Sequence, residues 1–272
     1  MTGAWQALGH IRGILPVLGL VAWEGIVRGV GLKDYLLPAP TRVAQELWAR
    51  LSLLLWHTGV TFGEVGVGLL AAVGGGAALA VAMAHSRLLH RGLYPLLAFL
   101  QAVPKVTVAP LFVIWIGYGI GSKVLMVFLI AFFPIVVNLT AGFLLVEPDL
   151  VRLMRSYRAS PWQTFCRIRF PNAVPFFFAG MRIAVALAVV GAVVAEFVGA
   201  DRGLGYLILL SNAELRTPLL FACLVWLGGI GVGLYGLLHG MERWLVPWAL
   251  RGGEAEAQGG RGAGERILSP SL

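Results

Sequence analysis

The sequence predicts an all-α integral membrane protein with about six transmembrane helices. Of its 272 residues, 58% are apolar and 12% are charged, and the mean hydropathy is +0.84. Soluble domains are typically about 45–50% apolar and about 25% charged, so this composition excludes a soluble globular protein. The net charge of +8 is carried mainly by short loops between apolar segments. That distribution indicates orientation in a membrane and argues against a nucleic-acid partner.

Most of the predicted spans are uninterrupted. About 20 apolar residues cross a hydrocarbon core about 30 Å thick. Five segments approach or exceed this length: 14–30, 61–84, 123–146, 174–198 and 217–240. The first of them continues beyond the short apolar core of a signal peptide and contains Glu24, so we expect an uncleaved spanning helix.

A sixth apolar segment, 93–117, is interrupted by Pro104, Lys105 and Pro110. Proline lacks a backbone N–H, so a helix must break there unless neighbouring groups satisfy the freed carbonyls. The segment is either one broken span or two short pieces. We interpret it as one broken span, which brings the predicted number of transmembrane helices to six.

Basic residues predict the orientation of the chain. The loop 147–173 carries more arginine than acidic residues, and the short loop 85–91 holds Arg87 and Arg91. The positive-inside rule therefore places both loops and both termini in the cytoplasm. The segments 31–57 and 199–216 are then external.

The chain divides into three predicted regions. Residues 1–56 hold the first span, an external loop and an amphipathic helix of about 12 residues that starts with Thr41 as its N-cap. Residues 57–243 form a transmembrane domain of five helices. Residues 244–272 are rich in small residues and charges without apolar periodicity, so we expect a disordered cytoplasmic tail.

Glycines line the last span, with four-residue spacing at Gly229/Gly233 and Gly236/Gly240. Small residues let membrane helices approach closely. The spacing fits packing within the chain or packing against another subunit, and the sequence does not distinguish the two.

The loop 147–173 has the pattern of two short helices. Pro148 and Asp149 suit a helix start, and Leu150, Leu153, Met154 and Tyr157 then fall on one face. Ser160, Pro161 and Gln163 form a capping box, so a second helix should begin at Pro161 and end before Pro171. An apolar face beside arginines predicts a docking surface. The alternative is that the arginines only set the topology and bind anionic lipid headgroups.

Five charged residues lie within or near the spans: Glu24, Glu64, Lys105, Arg182 and Glu196. Buried charges in a membrane are costly and are often functional. Lys105 and Glu196 are our candidates for the translocation pathway or a gate, with a structural polar contact as the alternative for Glu196. Arg182 and Glu196 lie about 21 Å apart along one helix, so their partners must be elsewhere. For Arg182, snorkelling to the membrane surface is the simpler interpretation.

Sequence motifs for catalysis, metals and cofactors are missing. There is no His-Glu-x-x-His or Gly-x-Ser-x-Gly motif, and none of Lys33, Lys105 and Lys123 follows a glycine, as a phosphate-binding loop requires. The sequence therefore lacks a phosphate-binding loop of its own, and any ATP that drives its function must be bound and hydrolysed by a partner protein.

Several motifs resemble the permease subunits of bacterial binding-protein-dependent ATP-binding-cassette (ABC) importers. Their loop signature is Glu-Ala-Ala, three residues, Gly, nine residues and Ile-x-Leu-Pro. Here the same register holds Arg152-Leu153-Met154, Arg158 and Ile168-Arg169-Phe170-Pro171. Longer stretches are similar to the nitrate, sulfonate and taurine branch: Leu37-Pro38-Ala39-Pro40, Pro104 to Leu111, Phe132 to Ile135, Phe170 to Pro175, Ala195 to Ala200, Gly203 to Tyr206, and Glu242-Arg243 before Trp248.

The resemblance implies a type I ABC importer permease fold with a cytoplasmic coupling loop between the fourth and fifth spans, in the bacterial plasma membrane. It implies two ATP-binding subunits docked on that loop, a second permease copy, and a periplasmic or lipid-anchored binding protein. The implied ATPase-coupling residues are Arg152, Arg155, Tyr157, Arg158, Ala159, Ser160, Pro161 and Pro171.

The sequence leaves alternatives open for both the function and the substrate. An ion-coupled secondary transporter using Glu196 or Glu64 is the main competing class, and a membrane enzyme is a third. The resembling branch carries small anions, whereas the run from Val190 to Tyr206 is closer to permeases for thiamine-pyrimidine precursors or riboflavin. The sequence leaves the substrate open between these two groups.

Overall fold

A computed structural model of the protein describes residues 2–247. Within that range all regular secondary structure is helical, which confirms the all-α prediction. Of the predicted tail 244–272, residues 248–272 lie outside the described residues. The helices are α1 (Thr2–Val30), α2 (Pro40–Ala49), α3 (Leu51–His85), α4 (Arg87–Ala102), α5 (Ala109–Ile116), α6 (Ile120–Leu144), α7 (Pro148–Ser156), α8 (Pro161–Thr164), α9 (Phe170–Gly199), α10 (Leu204–Ala213) and α11 (Thr217–Leu245).

Four helices in the described range are long and apolar enough to cross a membrane. They are α3, α6, the continuous helix Pro161–Gly199 and α11, with mean hydropathies between 1.9 and 2.5. A fifth span results if α4 and the segment Lys105–Ile116 are counted together. The helix α1 is not counted among these spans, so the number of six transmembrane helices stays a prediction.

The apolar segment around Pro104 is broken, as its prolines predict. The axes of α4 and Lys105–Ile116 differ by 86°. A short 3-10 turn, Lys105–Val108, lies at the break and leads into α5. Proline at this point removes a helical hydrogen bond, which accounts for the change of direction.

The chain forms two compact units, each with its own core. Of the described residues, the first contains 2–64, 109–123 and 192–230, and the second contains 65–108, 124–191 and 231–247. A core of the first unit is formed by Leu54, Leu204, Leu207, Ile208, Leu219 and Cys223. One core of the second unit contains Met83, Leu97, Phe133 and Val136. The predicted boundary between residues 56 and 57 falls inside α3.

Close helix packing in the second unit depends on glycine. A Cβ added at Gly68 would lie 2.9 Å from the carbonyl oxygen of Val124, and one at Gly180 would lie 2.9 Å from that of Pro134. The glycines of α11 differ, because a Cβ at Gly229, Gly233, Gly236 or Gly240 would meet nothing within 4 Å. Among the described residues, packing within the chain does not explain the α11 glycines.

The predicted N-cap of the amphipathic helix is wrong. The helix α2 begins at Pro40 with Ala39 as its N-cap, because proline suits the first helical position. Thr41 instead donates its backbone N–H (3.1 Å) and its hydroxyl (2.8 Å) to the carboxylate of Glu24. Glu24 of α1 therefore supplies the negative charge at this helix start.

Candidate translocation cavity and coupling loop

A buried ion pair joins two long helices in the first unit. Lys123, in the first turn of α6, lies 2.8 Å from Oε1 of Glu64 on α3. The side chains are 6% and 2% exposed, so each charge depends on the other for compensation. The Oε2 atom of Glu64 has no hydrogen-bond partner among the described residues. Sequence reasoning missed Lys123, although a lysine in the first turn of an apolar run is itself a signal.

The ion pair lines a cavity of about 640 Å³. Its wall combines small residues, one aromatic ring and two acid–base pairs, contributed by Gly59, Val60, Gly63, Glu64, Tyr118, Gly119, Ile120, Lys123, Gly199, Asp201 and Arg202. Tyr118 is one of the lining residues, and its side chain is 82% exposed. Aromatic rings of this kind can stack on flat ligands.

The charges of the cavity wall balance. Arg202 lies 3.0 Å from Asp201, and Lys123 is paired with Glu64. The hydrogen bond from Arg202 holds the pKa of the Asp201 carboxyl below its usual range, so Asp201 stays ionised at neutral pH. Each cation of the wall therefore has its own carboxylate, and none is left as an obvious site for an anion.

Glu196 lies in a different polar cluster of the first unit. Its Oε1 accepts a hydrogen bond from the Thr61 hydroxyl (2.7 Å) and its Oε2 accepts one from the Gly205 backbone N–H (2.5 Å). Thr61 also accepts the N–H of Leu204 (2.9 Å), and Nδ1 of His57 accepts that of Gly203 (3.0 Å). Three successive N–H groups at the start of α10 are thus satisfied by side chains.

This cluster explains two glycines. Gly203 has φ 115°, which favours glycine, and a Cβ there would overlap the Glu196 carboxyl group. A Cβ added at Gly205 would lie 2.7 Å from the Val193 carbonyl oxygen and 2.8 Å from Oε2 of Glu196. Glu196 does not line the cavity, and both of its oxygens are used. The geometry matches the structural alternative for Glu196, and its role in the pathway stays a prediction. His57 and Thr61 were missed in the sequence, where only their four-residue spacing on α3 marks them.

Lys105 and Arg182 lie in the second unit. The Lys105 ammonium donates to the Gln101 carbonyl oxygen (3.2 Å) and lies 5.0 Å from the centre of the Phe133 ring. It thereby stabilises the carbonyl end of α4, and its predicted pathway role is untested. Arg182 pairs with Glu242 of α11 at 2.6 Å. Its partner is on another helix, as predicted, and it does not need to snorkel to reach a counter-charge.

The turn between α7 and α8 is closed by a residue with left-handed backbone. Arg158 has φ 54°, and it follows the last residue of α7 by two positions. Its backbone N–H donates to the carbonyl oxygen of Arg155 (2.9 Å). The N–H of Ala159 donates to the carbonyl oxygen of Met154 (3.0 Å). These two bonds form a Schellman motif, in which glycine usually occupies the left-handed position.

The predicted capping box of the second loop helix is confirmed. Ser160 accepts from the Gln163 N–H (3.2 Å), and Gln163 accepts from the Ser160 N–H (2.8 Å). The predicted end of this helix before Pro171 is wrong. A π-helical turn at Phe165–Arg169 connects α8 to α9 without interruption. The wider turn lets the chain pass Pro171, whose missing N–H and ring would disrupt an ordinary α-helical bond.

Comparison with known proteins identifies the family. The model of the "Binding-protein-dependent transport system inner membrane component" family matches residues 68–249. The chain belongs to this family. It is therefore a multi-pass membrane subunit of an ABC transporter, a transport component and not an enzyme, that works with ATP-binding and substrate-binding partners.

Relatives of this permease cover nearly its whole length. The riboflavin transport system permease protein RibX of Chloroflexus aurantiacus is 40% identical over 90% of this chain and 91% of its own. The formylaminopyrimidine transport permease protein ThiX of Halalkalibacterium halodurans is 35% identical over 91% and 98%. The taurine transport system permease protein TauC of Escherichia coli is 29% identical over 87% and 88%.

A solved structure agrees with the fold. A chain of the MetNI methionine ABC transporter, in an inward-facing conformation, has a TM-score of 0.51 and 18% identity. It covers 71% of this permease and 97% of the MetNI chain. The type I importer permease fold is thus confirmed. The ion-coupled transporter considered from the sequence has no support in these comparisons.

Arg158 occupies the glycine position of the family's loop signature. In the register of the family's loop signature it stands where glycine is usual, and the structure places that position at φ 54°. The backbone requirement for glycine is therefore kept while the side chain differs. Tyr157 and Trp162, on either side of the turn, are 77% and 67% exposed.

Proposed function

We propose that this permease imports a flat heteroaromatic solute of the riboflavin or formylaminopyrimidine kind, delivered by an external binding protein. The observation that carries the proposal is the charge-balanced cavity of about 640 Å³ beside the exposed ring of Tyr118. Pockets for ligands of drug-like size measure about 300–1,000 Å³. A nitrate ion or the small zwitterion taurine would leave most of this volume empty, and neither the nitrate nor the sulfonate group of taurine would find an unpaired cation.

The relatives support the same solute class. Identity is 40% to the riboflavin permease and 35% to the formylaminopyrimidine permease, against 29% to the taurine permease. In this proposal the paired Lys123 and Arg202 act as polar, overall neutral groups that hydrogen-bond ring substituents. Tyr118 provides the stacking surface.

Two features support a proposal for the rest of the assembly. They are the exposed turn in the loop 147–173 and the α11 glycines, at which an added Cβ would meet nothing within 4 Å. We propose a homodimer of this permease, with two ATP-binding subunits docked on the turn Tyr157–Pro161. That turn is exposed, and its angle is fixed by the Schellman motif and the capping box. A fixed turn can transmit a rigid movement from the ATP-binding subunit to α9, because α8 continues into α9.

The orientation is part of the proposal. We propose that both termini and the loop 147–173 are cytoplasmic, as the arginines predict. A periplasm-active reporter inserted after Asn212 should be active, and the same reporter inserted after His90 should be silent. Activity at His90 together with silence at Asn212 would reverse the topology.

The transport experiment uses the permease reconstituted with its ATP-binding subunit and binding protein in liposomes. Labelled riboflavin and formylaminopyrimidine are compared with labelled taurine and nitrate, with ATP or a non-hydrolysable analogue inside. We expect ATP-dependent uptake of one heteroaromatic solute and no uptake of taurine or nitrate. Uptake of taurine or nitrate alone would overturn the proposed solute class.

Two variants connect the uptake to the cavity. Replacing Tyr118 by Phe keeps the ring and should preserve most uptake. Replacing Tyr118 by Ala removes the stacking surface and should lower uptake about two- to tenfold, since one aromatic contact is worth about 0.5–1.5 kcal/mol and about 1.4 kcal/mol is a factor of ten. Equal uptake by both variants would remove Tyr118 from the pathway.

A further inference from the structure

The coupling loop lines a second cavity, in the second unit. Ala159 and Pro161 of the proposed docking turn form part of its wall, but docking at that turn does not account for Arg87 and Arg169, which also line it. It measures about 320 Å³ and lies among the end of α3, the first residue of α4 and the helices α7 and α8. We propose that this cavity binds a phosphate group, and that its source is the headgroup of an anionic phospholipid. The proposal does not depend on the identity of the transported solute.

The lining of the cavity is strongly basic. Three arginines from separate elements face it: Arg87 at the start of α4, Arg155 on α7 and Arg169 in the π-helical turn. His85 and Thr164 add further polar groups, and no acidic side chain is among the lining residues. Guanidinium groups in this arrangement are well suited to phosphate oxygens, which they can bind in pairs of parallel hydrogen bonds.

The three arginines also lack counter-charges. Among the residues that the structure describes, no acidic side chain forms an ion pair with Arg87, Arg155 or Arg169, whereas the neighbouring Arg152 is paired with Asp149 at 3.0 Å. Arg169 donates one bond to the Ala84 carbonyl oxygen (3.2 Å). A guanidinium has five N–H donors, so that bond fixes its position and leaves donors for a ligand.

The surroundings favour a lipid as the source of the phosphate. Exposed apolar residues directly follow three lining residues in the sequence: Leu88 (83% exposed) follows Arg87, Trp162 (67%) follows Pro161, and Phe170 (54%) follows Arg169. Basic pockets beside apolar and aromatic residues are typical of sites for anionic lipid headgroups at a membrane surface. Both loops that form the cavity are also the ones predicted to be cytoplasmic, where anionic lipid attracts arginine.

A phosphate group bound in this cavity would connect helices that are separate in the sequence. The ligand would connect the junction of α3 and α4 to α7 and to the π-helical turn that leads into α9. The coupling loop would then be held against the membrane-embedded helices when anionic lipid is present. We therefore expect anionic lipid to increase the coupling between ATP hydrolysis and transport.

The experiment measures lipid retention by the full permease complex. The complex is placed in nanodiscs of phosphatidylcholine with phosphatidylglycerol, and retained lipid is measured by native mass spectrometry after release into detergent. We expect retained phosphatidylglycerol in the wild type, and at least about tenfold weaker retention in Arg87→Gln and in Arg155→Gln, because each variant removes charge-assisted hydrogen bonds to the phosphate. Arg167→Gln is the matched control, because it removes the same charge outside the cavity.

The outcomes separate the possible ligands. Equal retention by Arg87→Gln, Arg155→Gln and Arg167→Gln would overturn the site. Inorganic phosphate is titrated onto the delipidated complex in a parallel arm, with thermal shift as the readout. Stabilisation by inorganic phosphate without phosphatidylglycerol retention would support a phosphate site and overturn the lipid as its source. If both arms are negative and only the association with the ATP-binding subunit weakens, the arginines bind an acidic protein surface and the proposal is wrong.

Discussion

Glu64 and Glu196 are both buried carboxylates of the first unit, at 2% and 1% exposure, but they have different surroundings. Glu196 accepts hydrogen bonds on both oxygens, and one of its donors is a backbone N–H at the start of α10. Glu64 is paired through one oxygen with Lys123 and lines a cavity. A buried charge in a membrane helix therefore does not mark a pathway by itself. Its partners decide whether it stabilises the fold or faces the solute.

The largest effect on stability is expected for a variant that breaks the Glu64–Lys123 pair from one side. Lys123→Met leaves the Glu64 carboxylate buried without a counter-charge, which costs about 3–5 kcal/mol for pairs of this kind. We expect a clear fall in the thermal unfolding temperature of the purified permease. The double variant Glu64→Gln with Lys123→Met should recover most of that loss, because no charge remains unpaired.

The same double variant separates stability from transport. If the pair lines the pathway, the double variant should be folded but should transport more slowly than the wild type. A double variant with wild-type uptake would make the pair purely structural, and Glu64 would then resemble Glu196.

Glu196→Ala should also destabilise the protein, by a smaller amount. It leaves the Gly205 N–H without an acceptor in a buried site, which costs about 1–3 kcal/mol. Glu196→Gln keeps an oxygen acceptor and should cost less. Thermal unfolding and uptake are measured together. A Glu196→Ala variant with wild-type stability and no uptake would favour the pathway role over the capping role.

The smallest effects on stability are expected in the coupling loop. Arg158→Gly fits the left-handed backbone at φ 54° better than arginine does, so it should stabilise the turn, by up to about 1 kcal/mol. It also removes the charge that we expect to contact the ATP-binding subunit. We therefore expect Arg158→Gly and Arg158→Glu to lower co-purification of that subunit, whereas Arg158→Lys should retain it. Wild-type co-purification with Arg158→Glu would contradict docking at this turn.

Features that depend on residues close together in the sequence could be predicted from it. The break at Pro104 and the capping box of Ser160 and Gln163 both follow from local backbone chemistry, and both are present. The partner of Glu64 was not predictable in this way, because Lys123 is 59 residues distant along the chain. Only the packing of α3 against α6 brings the two charges together.

Two local predictions failed for a related reason. The start of α2 is capped by Glu24 from another helix, so Thr41 is not needed as the N-cap. The helix that begins at Pro161 passes Pro171 because a π-helical turn changes the hydrogen-bond register ahead of the proline. In both places an interaction absent from the local pattern replaced the one that the pattern favoured.

The most direct test of the central claim is substrate protection inside the cavity, with the Tyr118 ring left in place. Single cysteines replace Ile120 or Trp48 in a background where Cys166 and Cys223 are serine. Both side chains are exposed, at 61% and 82%, but Ile120 lines the cavity and Trp48 lies outside it. The complex is labelled with a thiol reagent during ATP-driven import of the heteroaromatic solute. We expect the solute to slow labelling at position 120 and to leave position 48 unchanged. An unchanged rate at position 120, in a complex that still imports the solute, would contradict the proposed pathway.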